Sequence, residues 1–180
     1  MAKRILSILT IAYLVAAIVL PFVFNYGVDD MAARSTVDSD VIYIDSEALA
    51  LSNASEADTG LRAEALEAFG QINDIRIEAG LEELSWNQNL ESVSAVRAEE
   101  CDEKFSHTRP NGRQWNTVNS KIQGGENLAF GFDTADETVD AWMNSPTHKD
   151  NILYEEFTSG SISIYQNDSG TNYWANEFGY

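Results

Sequence analysis

Apolar positions in the middle of the chain recur every three or four residues, the spacing of an amphipathic helix. In the first such stretch, which begins near Leu61, they are Ala65, Ala68, Ile72, Ile75 and Ala79. Gly80 follows, at the point where a helix end favours a residue that tolerates positive φ. A short connection leads to Asn87, which can cap a second helix that extends to about Glu103.

One face of the second predicted helix is largely apolar. It carries Leu90, Val93, Ser94, Arg97, Ala98 and Cys101. We interpret Cys101 as a core residue and not as a nucleophile, because it lies on this face. It is the single cysteine of the sequence and therefore cannot form an intramolecular disulfide.

The last third of the chain changes from helical to alternating spacing. Ala135 to Asn144 has the pattern of a short helix, and Phe157 to Tyr165 alternates apolar and polar residues as a strand does. The run from Asn167 to Gly170 has strong turn chemistry. Tyr173 to Phe178 then predicts the returning strand of a hairpin.

The N-terminus has the pattern of a membrane-directed segment. Lys3 and Arg4 precede an uncharged, largely apolar run from Ile5 to Tyr26, about the twenty residues that span a bilayer as a helix. Residues 1–33 therefore predict a signal anchor, with a cleaved signal peptide as the alternative. Since the two bases favour the inner side, we expect the rest of the chain to be extracytoplasmic, either anchored to the cell surface or secreted.

Residues 34–60 are acidic and polar. They contain one base, Arg34, and six acids: Asp38, Asp40, Asp45, Glu47, Glu56 and Asp58. We interpret this stretch as a flexible spacer between the membrane and a folded domain of residues 61–180. The apolar run from Val41 to Ile44 interrupts it, and the alternative for that run is a short strand or a docking segment.

Composition narrows the class of partner. A hydrophobic content of 44% suffices for one compact domain. The formal net charge of −18 disfavours a nucleic-acid partner, because phosphate binding requires clustered Lys and Arg. The acidity is typical of a solvated surface, and no acidic cluster has the spacing of a calcium loop.

Both histidines of the sequence, His107 and His148, lie in one stretch with a carboxylate, Glu126, that directly follows Gly124 and Gly125. Two imidazoles and a carboxylate are the groups that a metal site or an acid–base site uses. The sequence has no H-E-x-x-H, no G-x-S-x-G and no phosphate-binding Gly-Lys loop.

Several short motifs occur in an order that resembles a known family. They are Ile72-Asn73 with Arg76, Gly80-Leu81, Leu84-Ser85-Trp86-Asn87, Phe105-Ser106-His107, Gly125-Glu126-Asn127-Leu128-Ala129, Trp142 and Ser145-Pro146-Thr147-His148. Together they resemble the bacterial branch of the CAP superfamily, named for cysteine-rich secretory proteins, antigen 5 and pathogenesis-related proteins. The resemblance covers residues 61–180. It implies an α+β fold, an α–β–α sandwich with a small antiparallel sheet between helices, which here follows the N-terminal membrane-spanning or signal helix. It also implies that the protein is extracellular.

The resemblance also implies a cavity lined by two histidines and two acids, which binds a divalent metal in some members. His107 and Glu126 match the first histidine and the first acid. Ser145 and Glu156 stand where the family has its second acid and its second histidine, so the tetrad is incomplete. We predict His107, Glu126 and His148 as ligand-binding residues and as candidate ligands of a divalent cation, zinc or calcium.

His148 belongs to the Ser-Pro-x-His segment that bacterial members share. Ser145 suits an N-cap and Pro146 the first helical position, which places His148 in a first turn. The helix dipole disfavours a positive charge there, so a neutral imidazole can bind a metal or accept a proton. The alternative is that His148 only holds the loop by a hydrogen bond.

Two functions of different classes remain at this point. The first is a surface or secreted binding module whose His107–Glu126 cavity binds a peptide, a glycan or a lipid. The second is a hydrolase, most naturally a peptidase, in which His107 and Glu126 are the catalytic candidates and Glu126 or a metal-bound water acts as base. The incomplete tetrad favours the binding module.

Overall fold

Five helices and four strands are found in residues 41–52 and 59–180, the part of the chain that this computed structural model describes. The helices are α1 Ser46–Ser52, α2 Thr59–Glu78, α3 Gln88–Glu103, α4 Ala135–Asn144 and α5 Pro146–Ile152. The strands are β1 Ser85–Trp86, β2 Gly125–Phe130, β3 Ser159–Gln166 and β4 Asn172–Gly179. A 3₁₀ turn at Trp115–Thr117 follows α3.

The strands form a single four-stranded sheet in the order β1–β3–β4–β2. β4 is antiparallel to both of its neighbours, whereas β1 pairs with β3 in parallel at Ser159 and Gly160. The predicted α+β fold with a small sheet between helices is therefore confirmed. The sheet is mixed and not purely antiparallel, because two residues of the predicted connection after α2 join it as β1.

Side chains of the sheet alternate between two helical layers. Trp174 and Phe178 of β4 pack with α2, α4 and α5 in the larger core. Ala175, between them in sequence, packs with Leu128 of β2 and with Ala98 and Cys101 of α3. Since adjacent residues of a strand point to opposite faces, the sheet separates α3 from α2, α4 and α5. This separation decides which candidate side chains can meet.

The predicted helix ends are confirmed. Asn87 accepts N–H groups of Asn89 at 2.9 Å and Leu90 at 3.3 Å with its side-chain oxygen, so it caps α3. Gly80 has φ +78°, in the left-handed region that favours glycine. Cys101 is buried on α3, and this burial raises the pKa of its thiol to about 12, in agreement with a core role.

The predicted signal anchor of residues 1–33 lies outside the described residues. Within the described ranges, no helix has both the length and the apolar character needed to cross a bilayer. The described part of the predicted spacer, residues 41–52, contacts the domain, because Tyr43 and Asp45 bond to Ser120 and Val118 at 2.7–2.8 Å. These contacts agree with the alternative that Val41–Ile44 is a docking segment. The boundaries of the spacer and of the domain stay predictions.

Candidate functional site

Glu126 lies on β2 with its side chain toward α3 and has no exposed surface. The two glycines before it let β2 approach the aromatic ring of Phe157. A Cβ at Gly125 would lie 2.7 Å from Cζ of Phe157, and one at Gly124 would lie 2.9 Å from Cε1. The glycine pair therefore permits the close packing of β2 against Phe157.

Arg97 of α3 neutralises the buried carboxylate. Its Nε donates to Oε2 of Glu126 at 2.6 Å, and its Nη2 donates to Oε1 at 3.3 Å. Nη2 also donates to the carbonyl oxygen of Ser106 at 2.8 Å. Both charged side chains are fully buried, so each is the partner that makes the other tolerable inside the protein.

His107 joins the same carboxylate from the loop after α3. Its Nδ1 lies 2.7 Å from Oε1 of Glu126, and its side chain retains 14% exposure. Burial alone would raise the pKa of Glu126, but the charge of Arg97 and the hydrogen bond of His107 outweigh it and lower the pKa to about 2. An ionised carboxylate can only accept, so Nδ1–H of His107 is the donor of this hydrogen bond.

A second buried acid, Glu177, lies directly opposite Glu126 on β4. It also has no exposed surface, and its Oε2 accepts Nε2–H of Gln123 at 3.0 Å. Burial and the negative charge of Glu126 raise the pKa of Glu177 well above its usual value. The raised pKa favours the neutral carboxylic acid at Glu177 beside the ionised carboxylate of Glu126.

Further charges connect the site to the N-terminal segment. Glu100 of α3 pairs with Arg97 on one side and with Nη2 of Arg109 at 2.7 Å on the other. Arg109 in turn pairs with Asp45 at 3.1 Å. A continuous chain of alternating charges thus extends from Glu126 to the residue that precedes α1.

Comparison with known proteins gives this geometry a family. The model of the cysteine-rich secretory protein family, CAP, matches residues 69–178, more than half of the chain. The chain belongs to the CAP family. The match includes Arg97, His107, Glu126 and Glu177, which form the buried cluster.

Two curated bacterial proteins are also similar to the chain. The Bacillus subtilis protein YkwD, named as uncharacterized, is 30% identical over 113 residues, which are 59% of this chain and 43% of YkwD. The chain spans less than half the length of the curated relatives it matches.

Two solved structures support the CAP fold. An outer surface protein of Borrelia burgdorferi has TM-score 0.59 at 22% identity, covering 66% of this chain and 92% of that one. An extracellular protein containing an SCP domain, from Bacillus anthracis, has TM-score 0.58 at 23% identity, covering 65% and 40%.

The structure does not bring His148 of this CAP domain to the His107–Glu126 pair. His148 lies on α5, and its carbonyl oxygen accepts Nδ2–H of Asn127 at 3.0 Å. Asn151 of the same helix donates to Oδ1 of Asn127 at 2.9 Å. Asn127 follows Glu126 in β2 and points to the opposite face, so the sheet lies between His148 and the pair. A ligand-binding role of His148 stays a prediction, now at a separate place.

The two positions at which the CAP tetrad departs from the family also lie apart from the pair. Ser145 ends α4 and precedes Pro146 at the start of α5, as predicted, although its side chain forms no capping hydrogen bond. Glu156 is exposed and accepts Oη–H of Tyr154 at 2.5 Å. Neither residue supplies a group to Glu126.

The buried cluster does not fit a divalent cation. Both oxygens of Glu126 already accept N–H groups, from Arg97 and from His107. The described part of the chain contains no group of three or more His, Cys, Asp or Glu side chains that could hold a metal ion. The structure therefore does not bring His107, Glu126 and His148 together around one point at which zinc or calcium could bind.

Sequence reasoning missed Arg97 and Glu177 as site residues, though both left a signal. Arg97 stood on the apolar face of the predicted second helix, where an arginine requires a buried acid. Glu177 stood inside a predicted strand between buried positions. The identity of the partner in each case depends on strand register, which the local pattern does not determine.

Proposed function

We propose that this chain is an extracytoplasmic CAP-domain binding module, in which His107 contacts a peptide, a glycan or a lipid. Membership of the cysteine-rich secretory protein family supports the extracytoplasmic location. The apolar run at the N-terminus, read from the sequence alone, agrees with it and suggests a membrane anchor or a signal peptide.

The observation that carries this proposal is the difference in exposure between Glu126 and His107, which are hydrogen-bonded to each other. Glu126 has no exposed surface and is held by Arg97, whereas the side chain of His107 retains 14% exposure. Glu126 thus orients the ring from inside, and His107 is the member of the pair that reaches solvent. Because Nδ1 is bound to Glu126, a ligand would contact the solvent-exposed part of the His107 ring.

Hydrolysis is the second candidate, since a histidine oriented by a carboxylate also occurs in hydrolases. The geometry favours it less. A general base must reach the proton it removes and works best with a pKa near the operating pH. Glu126 is sealed from solvent, both of its oxygens are engaged, and its pKa is lowered to about 2. His107 is the remaining candidate for a base.

Binding assays on the full chain separate these functions. Labelled pools of short peptides, soluble glycans and phospholipid vesicles would be tested with the natural chain, with His107→Gln and with His148→Gln. The two substitutions change the same residue type on opposite faces of the sheet, so the second is a matched control. We expect one class of probe to bind, and His107→Gln to weaken that binding at least tenfold while His148→Gln does not.

A cleavage assay on the same peptide pools tests the hydrolase alternative. Turnover that is detected by mass spectrometry and abolished by His107→Gln would replace the binding module by the hydrolase. Thermal unfolding with zinc, calcium or a chelator tests the cation separately. The engaged oxygens of Glu126 predict no stabilisation that depends on His107.

A further inference from the structure

Along most of its length, the outer edge of β3 has no strand partner among the described residues. β1 pairs with β3 only at Ser159 and Gly160, and beyond Gly160 the described strands pair with β3 only through β4. Asn87 N–H donates to the carbonyl oxygen of Gly160 at 3.0 Å, which shows that this residue's backbone groups face the outer edge. Since backbone groups alternate along a strand, those of Ile162 and Ile164 face the same edge after β1 has ended.

A groove of about 1020 Å³ runs along this edge between α2 and α3. Its floor includes Ile162 and Ile164, and its walls include Ala65 of α2 and Ala95 of α3. An open strand edge at the floor of an apolar groove is the arrangement in which proteins bind extended peptides by strand addition. The groove thus offers both backbone partners and apolar contact.

The charge of the groove selects the partner. Glu91, Glu99, Glu100 and Glu103 of α3 line it, against one base, Arg62. Arg62 is paired with Glu91, and Glu100 is engaged by buried arginines, which leaves the exposed Glu99 and Glu103 to face an occupant. A second copy of this chain carries −18 charges as well, so a basic partner is favoured over self-pairing.

One end of the groove is covered by a surface ion pair. Arg62 of α2 and Glu91 of α3 meet at 3.0 Å above Trp86, and near this pair Ile162 is only 1% exposed. The side chains of Arg62 and Glu91 are 43% and 24% exposed. Arg62 can move away at small cost because exposed ion pairs contribute little to stability, whereas Glu91 keeps the hydrogen bond that it accepts from Nε1–H of Trp86 at 2.9 Å. Ile164 is half-buried and lies beyond the covered end.

We propose that the outer edge of β3, from Ile162 to Ile164, binds an extended segment of a basic polypeptide. The backbone of this segment would pair with β3 as an added strand, and its Lys or Arg side chains would face Glu99 and Glu103. The surface lies at the far edge of the sheet from β2, whereas His107 bonds to Glu126 on β2.

A peptide of ten residues that alternates lysine and valine provides the probe, and one that alternates glutamate and valine is the matched control. With the full chain, we expect the basic peptide to bind and the acidic one not to bind. Bound peptide should slow hydrogen exchange of the Ile164 amide at least tenfold. The amides of Ser163 and Tyr165, which face β4, should change little.

Two variants test the edge and the rim separately. Ile164→Pro removes an outward N–H without touching the bonds to β4, and it should weaken peptide binding at least tenfold. The double variant Glu99→Lys, Glu103→Lys should weaken it similarly and reduce its dependence on salt. Unchanged binding by folded Ile164→Pro would overturn the proposal.

Exchange at Ile164 in the natural chain decides the matter even where the proline variant does not fold. An Ile164 amide that the basic peptide leaves unprotected contradicts strand addition. Protection that instead rises with protein concentration, without peptide, would show that a second copy occupies the edge, and the basic partner would be wrong.

Discussion

Glu126 and Glu177 lie directly opposite one another on β2 and β4, and neither carboxyl group has exposed surface. Ionising both of two buried carboxyl groups on paired strand positions would cost free energy, because the two negative charges repel each other. Arg97 and His107 hold the charge on Glu126, and Glu177 takes the proton. The two acids thus differ in charge because only one of them is bonded to bases.

The raised pKa of Glu177 predicts a loss of stability as pH rises. Its pKa is about 4.5 in the unfolded chain and raised in the folded one. Its favourable contribution is complete below pH 4.5 and is lost as pH rises toward the folded value. In that window the free energy of unfolding falls by about 1.4 kcal/mol per pH unit from this group.

Glu177→Gln should remove this dependence on pH, because the amide has a shape similar to that of the carboxylic acid but does not titrate. Urea unfolding of the natural chain and of the variant, from pH 5 upward, measures the difference. Glu83→Gln, at an exposed position, is the control and should leave the slope in place. Parallel curves for the natural chain and Glu177→Gln would mean that Glu177 is ionised in the fold.

Glu126→Gln should destabilise the protein at neutral pH. It leaves Arg97 buried with a weakened partner set, and breaking a buried pair costs about 3 kcal/mol. Because the folded pKa of Glu126 is lowered to about 2, its contribution is present above pH 4.5 and is lost as pH falls toward 2. Urea unfolding should therefore show a gap between the two proteins that narrows in acid.

A double-mutant cycle isolates the pair itself. Arg97→Met combined with Glu126→Gln removes both charges, so the double variant should be more stable than the sum of the two single losses predicts. Strict additivity would show that the two side chains do not interact in solution.

Asp45→Ala should detach the segment that contains α1. Asp45 accepts the N–H of Ala48 at 3.0 Å as a helix cap, and it pairs with Arg109 at 3.1 Å. Loss of a cap and of a partly buried pair should cost about 1–2 kcal/mol. Hydrogen exchange should accelerate in residues 45–52 more than in α3, while Glu47→Ala in the same helix should have a smaller effect.

Removal of the last nine residues should abolish cooperative unfolding. Residues 172–180 include all of β4, which is the strand paired with both β3 and β2. Removal of Tyr180 alone is the mild control, because it deletes only a ring that packs on Phe157 at 5.3 Å between centroids. A cooperative transition in the longer deletion, measured by circular dichroism, would contradict the central place of β4.

The long helices and the C-terminal hairpin could be predicted because their signals are local. Asn87 marks the start of α3 by its own side chain, and Gly170 at φ +82° closes the predicted turn between β3 and β4. β2 was not predicted as a strand, because Gly124 and Gly125 have the appearance of a loop. Only the packing of Phe157 against them explains why glycine is required inside the sheet.

The site was predictable only in part. The meeting of His107 and Glu126 followed from a family resemblance, and the structure brings these two together. His148 also lies in a local motif. However, its helix α5 packs against Asn127, whose side chain points to the face of β2 opposite that of Glu126. Glu177 required the register of β2 against β4, which depends on contacts between residues 51 positions apart.

The protonation state of the His107 ring tests the proposed site most directly. Long-range ¹H–¹⁵N correlation spectra of the full chain, labelled with ¹⁵N-histidine, distinguish Nδ1–H from Nε2–H in a neutral imidazole. Since ionised Glu126 can only accept at 2.7 Å from Nδ1, we predict the Nδ1–H tautomer for the neutral His107 ring. A neutral His107 with its proton on Nε2 in the natural chain would contradict the orientation of the ring by Glu126.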